Sequence, residues 1–111
     1  IGMNQQTIVL VHYPYTHFKE TKIRPAVVLS KNDFNRKHAF CILSPITSHE
    51  SMPEFQVEIA TNEFTGRLDR KSYIRSDTIM SIHKGLILDE IGKISPQLYQ
   101  KTIQKINENF G

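Results

Sequence analysis

The apolar residues of this chain fall in short, β-branched runs bounded by turn residues, a pattern that favours strands and leaves room for little helix. Ile8–Val11 and Ala26–Leu29 are two such runs, and Phe40-Cys41-Ile42-Leu43 is a third. Phe55, Val57 and Ile59 alternate with Gln56 and Glu58, as in a strand with one face buried. The expected strands lie near Thr7–Tyr13, Arg24–Ser30, Ala39–Pro45, Glu54–Ile59, Tyr73–Arg75 and Thr78–Ile82, with a short one over Leu86–Leu88. Pro14, Asn32, Asp33, Asn35, Pro53, Asn62, Gly66 and Gly85 separate them, and Asn32–Arg36 has room for one helical turn. The final segment alone reads as a longer helix. Ser95 is its N-cap and Pro96 its first residue, with Tyr99, Ile103, Ile106 and Phe110 along an inward stripe. Many short strands and one late helix predict a mainly β (α+β) fold, a small barrel or strongly bent sheet capped by that helix.

At 111 residues the chain makes one domain with a single core. Ile1-Gly2, ahead of Met3, reads as an expression remnant and is left out of the fold argument. No run approaches the ~18 apolar residues of a membrane span, and no signal peptide is visible. The single Cys41 allows no internal disulfide or thiolate zinc site and reads as a small buried hydrophobe, in keeping with a reducing cytoplasm. The five histidines show no metal-ligand spacing, so no metal site or cofactor is expected. The net charge of +3 is unevenly spread. Residues 17–37 carry six Lys/Arg against two acids, and residues 70–84 four against one, whereas residues 49–69 carry one against five. If folding joins the two basic stretches, a polyanion partner is implied.

Several residues have two readings. Pro25 forces Arg24 into an extended conformation, so its guanidinium leaves a strand entrance in a defined direction. There it either solubilises the strand end or recognises a phosphate. Thr47 and Ser48 follow Pro45-Ile46 where a strand should end, and their hydroxyls either satisfy a turn or donate to phosphate oxygens. Arg75 and Asp77, two residues apart in a strand, share a face. They form either an ordinary surface ion pair or a cation and proton acceptor side by side. Phe55 reads as core from its alternation, and Arg70 and Lys71 as contacts to backbone phosphate.

Four segments in order, Arg24-Pro25-Ala26-Val27-Val28-Leu29-Ser30, Pro45-Ile46-Thr47-Ser48, Tyr73-Ile74-Arg75-Ser76-Asp77 and Ile91-Gly92-Lys93-Ile94-Ser95, resemble the MazF/PemK family of type II toxin–antitoxin toxins. The resemblance spans nearly the whole chain. It implies an SH3-like barrel, usually a homodimer, acting in the cytoplasm as a metal-independent, sequence-selective endoribonuclease. The implied substrate is single-stranded RNA, cut through a 2′,3′-cyclic phosphate, and a cognate antitoxin is the implied partner. By this likeness Arg75 and Asp77 match the acid–base pair of the PemK branch, and Arg24 and Thr47 the catalytic pair of the MazF branch. A guanidinium pKa above ~12 suits transition-state charge better than proton donation, so Asp77 is the expected base. The likeness places Phe55 by the RNA and offers His17, matched with a one-residue shift, as a substrate contact. Gln6-Thr7 stands where the family has Gly-Asp or Gly-Glu, and Thr16–Ile23 lacks its Gly-rich Glu-Gln stretch. Two other readings fit a similar barrel: a CcdB-like inhibitor that binds gyrase without cleaving, and a nucleic-acid-binding barrel without chemistry.

Overall fold

The computed structural model describes residues 3–13 and 22–111. Its strands are β1 (Thr7–Tyr13), β2 (Lys22–Val28), β3 (Phe40–Thr47), β4 (Gln56–Ile59), β5 (Phe64–Gly66), β6 (Ser72–Arg75), β7 (Met80–His83) and β8 (Ile87–Ile94). They make one curled antiparallel sheet, a half-barrel in the order β4-β6-β3-β2-β1-β8-β5. Strand β3 is the hub. It pairs with β2 along one edge and shares the other between β7 at Phe40–Leu43 and β6 at Ile46–Thr47. Two helices complete the fold, α1 (Asn32–Lys37) and α2 (Pro96–Glu108).

Both faces of the sheet are buried, because strand alternation carries apolar residues to each. On one face Ile8, Val27, Ile46, Ile74 and Ile94 pack under Leu98 and Ile106 of α2. On the other, Val9, Val11, Ala26, Val28, Cys41, Leu43, Ile82 and Ile87 form a second cluster enclosed by the curl itself. Helix α2 starts where Ser95 Oγ accepts from Leu98 N at 3.1 Å, with Pro96 in its first turn. Among the described residues no helix is long and apolar enough to cross a membrane.

The structure moves several expected boundaries. The inward face of α2 is Leu98, Thr102 and Ile106, flanked by half-buried Tyr99 and Ile103; Phe110 lies past the helix end and is 81% exposed. Residues 53–55 form a helical turn, so Phe55 leaves the alternating pattern and is only half-buried. Residues 84–86 form another such turn. The strand expected at Leu86–Leu88 is the long β8 instead, and the one expected at Thr78 begins at Met80. Strand β5 has no counterpart in the sequence reading. It pairs with β8 where Gly66 faces Gly92 so closely that a Cβ on Gly92 would sit 2.2 Å from the Thr65 carbonyl oxygen. Gln6 has a φ of +79°, a backbone conformation that favours glycine. Here the strain is offset by Gln6 Nε2 donating to the Ile94 carbonyl at 2.9 Å.

Candidate active site

Strand register brings distant residues to one end of the enclosed face. Arg24 lies opposite Val11, and Tyr13 two pairs further on, opposite Lys22, so all four side chains share a face. Ala26 pairs with Pro45. The same register, carried two residues on, sets Thr47 level with Arg24. Thr47 also pairs with Tyr73, which brings Arg75 level with Pro45. The outcome is a cleft of about 360 Å³ lined by Tyr13, Arg24, Pro45, Ile46, Thr47, Arg75, Thr78 and Met80. Three residues selected from the sequence, Arg24, Thr47 and Arg75, therefore border one space.

The fourth, Asp77, does not line this cleft; it borders a neighbouring pocket and clasps Arg75 from there. Its carboxylate accepts from Arg75 Nε at 3.2 Å and from the terminal guanidinium nitrogen at 3.0 Å, a bidentate arrangement, and from Thr78 Oγ1 at 3.2 Å. Burial pushes the Asp77 carboxyl up, but the Arg75 bonds and charge with the Thr78 hydroxyl outweigh it and hold the group below the usual carboxylate range. The intervening Ser76 is 2% exposed and anchors the segment, its Oγ donating to the Phe55 carbonyl at 2.8 Å. Ser76 N donates to the same carbonyl, and Asn109 Nδ2 caps the Ser76 carbonyl at 2.9 Å. Ser44 Oγ holds the Thr78 carbonyl at 2.7 Å. The Arg75–Asp77 pair is thus fixed from the sheet, the 53–55 turn and the helix end.

A second cleft of about 610 Å³ shares Arg24, Ile46 and Thr47 with the first and adds Lys22, Ser48, Arg67 and Arg70 to its walls. Ser48 is exposed there beside Thr47, whose Oγ1 also accepts from His49 N at 3.2 Å. Phe55 lines a third, more apolar pocket with Asp77, Met52, Ile79 and Phe110, which places it beside the carboxylate and outside the core. Lys71 lines neither cationic cleft and sits 3.6 Å from Glu58; Arg70 and Arg67 take the wall positions instead. His17 lies outside the described residues. No group of three His, Cys, Asp or Glu able to hold a metal occurs among the described residues. Cys41 is fully buried and burial pushes its thiol up, as for an inert core residue. Sequence reasoning missed Tyr13 and Arg67. An aromatic hydroxyl ending a largely aliphatic strand was the available signal for Tyr13.

The half-barrel thus carries a cleft bordered by two guanidinium groups and hydroxyls, one of the guanidinium groups held by a carboxylate outside it. The chain belongs to the PemK-like, MazF-like toxins of type II toxin–antitoxin systems, whose family model matches residues 4–110. The fold is similar to MazF from Deinococcus radiodurans, with a TM-score of 0.80 at 17% identity over 97% of this chain and 96% of that one. It is also similar to a mycobacterial endoribonuclease in complex with its cognate antitoxin, with a TM-score of 0.79 at 17% identity over 97% and 94%. Against Mycobacterium tuberculosis toxin MazF-mt6 the TM-score is 0.77 at 17% identity over 94% and 95%. Comparison with curated protein sequences finds no match.

Proposed function

We propose that this toxin is a metal-independent endoribonuclease that cuts single-stranded RNA at selected sequences, acts as a homodimer, and is neutralised by a cognate antitoxin. The observation that carries the reading is the meeting of Arg24, Thr47 and Arg75 around one cleft, with Asp77 clasping Arg75. Family membership and the endoribonuclease relatives support it.

The chemistry needs no nucleophile from the protein, because the attacking oxygen is the RNA 2′-hydroxyl. That oxygen bonds to phosphorus as the P–O5′ bond breaks, leaving a 2′,3′-cyclic phosphate and a 5′-hydroxyl. Asp77, kept ionised by Arg75, takes the 2′-hydroxyl proton. Arg24 and Arg75 neutralise charge growing on the phosphorus oxygens, and the Thr47 hydroxyl donates a further hydrogen bond. The leaving O5′ receives a proton from water or a neighbouring donor. Single strands suit the site because their bases splay and can be read in the adjoining basic cleft, past Ser48, Arg67 and Arg70.

Incubation of the purified protein with single-stranded RNA in EDTA tests this. The expected products carry 2′,3′-cyclic phosphate ends, and Arg24→Ala slows their formation at least 100-fold. Intact RNA with the wild-type protein, or undiminished cutting by Arg24→Ala, refutes the reading.

A further inference from the structure

The phenol of Tyr13 makes no hydrogen bond to the fold among the described residues. Tyr13 is 6% exposed and ends β1, with its ring against the enclosed face. Its hydroxyl is buried and finds no hydrogen-bond partner among the described residues. A buried hydroxyl without a partner costs stability, and Phe would fill the same volume without that cost. Tyr13 nonetheless lines the cleft shared by Arg24, Thr47 and Arg75. Both guanidinium groups lie close enough to pull the phenol towards ionisation, yet burial outweighs them and pushes it upward, so it stays a neutral O–H.

We propose that the Tyr13 hydroxyl is a hydrogen-bond donor to a non-bridging oxygen of the scissile phosphate, completing the set begun by Arg24, Arg75 and Thr47. The inference rests on the nuclease reading and deepens it. The two cations neutralise the dianionic transition state, and a neutral donor adds direction without adding charge. The hydrogen stays on the phenol throughout, so no proton balance changes. The stability lost to the orphaned hydroxyl is then a cost of the site, repaid only when phosphate arrives.

Tyr13→Phe removes one oxygen and leaves the packing. The variant is expected to unfold at an equal or higher urea concentration than wild type and to cleave about 10- to 100-fold more slowly in single turnover. Phosphorothioate substrates supply the reading that packing alone would not move. Sulfur accepts hydrogen bonds poorly, so one diastereomer at the scissile position slows the wild-type protein, and that slowing shrinks in Tyr13→Phe. Full-rate cleavage by a folded Tyr13→Phe, or an unchanged thio effect for both diastereomers, overturns the proposal while leaving the nuclease reading standing. Loss of rate through instability would show as a lower unfolding midpoint, and that too overturns it. RNA left intact by the wild-type protein removes the nuclease reading and this proposal with it.

Discussion

Replacing Asp77 with Asn separates what this residue does for the fold from what it does for RNA. The Arg75 and Asp77 side chains are 43% and 29% exposed, so their pair stabilises the protein by only about 0.2–1 kcal/mol. Asn keeps the shape and one acceptor oxygen, and Asp77→Asn should lower the unfolding free energy by no more than that. The pH dependence has a definite sign. Burial raises the carboxyl and Arg75 with Thr78 lowers it further, so its folded-state pKa lies below its unfolded one. Its stabilising contribution is present above the ordinary carboxylate range and is lost as pH falls through the folded value. The effect on cleavage is much larger, since a positioned base is worth about 10²–10⁴-fold. Single-turnover cleavage of an end-labelled RNA between about pH 3.5 and 8, beside urea unfolding at each pH, measures both. Because Asp77 is ionised well below neutrality, it imposes no acid limb from about pH 5 upward. The reasoning fails if Asp77→Asn cuts at the wild-type rate, or loses rate only in step with its unfolded fraction. It fails equally if the wild-type rate falls about tenfold per pH unit just below pH 7, the signature of a histidine.

Three further outcomes follow from the packing and the charge. Gly92→Ala drives a Cβ to 2.2 Å from the Thr65 carbonyl oxygen, which only a backbone shift of β5 relieves. It should destabilise by about 1–3 kcal/mol in urea unfolding, and an unchanged midpoint would contradict the close crossing. Leu98→Ala should cost about 2–5 kcal/mol by calorimetry, because Leu98 is fully buried under the sheet, while Phe110→Ala stays within about 0.5 kcal/mol. Similar losses for the two would refute the helix face described above. Arg70→Ala should reduce the slope of log RNA affinity against log salt by about 0.7, with an identical slope excluding a phosphate contact.

The strands legible in the sequence were those whose own residues alternate or run apolar without interruption, such as β1, β2 and β3. Strand β8 was harder because Leu88, Asp89 and Glu90 face outward and two register shifts against β1 break its period. Strand β5 offers one apolar residue in three, and its position is fixed by the Gly66–Gly92 approach, which is a tertiary fact. The stripe on α2 was drawn one turn too far along, since Thr102 is a polar residue that buries by donating to the Leu98 carbonyl at 2.8 Å. In the candidate site, Arg24, Thr47, Arg75 and Asp77 were singled out by the family likeness, since each read alone is equally an ordinary surface or turn residue. That Arg70 rather than Lys71 walls the basic cleft depends on how the chain leaves β5, and the orphaned Tyr13 hydroxyl depends on what surrounds it.

The hub position of β3 ties assembly of the cleft to completed folding. Residues of β1, β2, β6 and β7 meet across it, and a slip of one residue would swing Thr47 and Pro45 towards α2 and turn Ser44 and Ile46 into their place. No half-assembled intermediate can therefore hold Tyr13, Arg24, Thr47 and Arg75 around one space. Under the proposed cleavage, a newly made chain gains its activity only when the last central strands are seated.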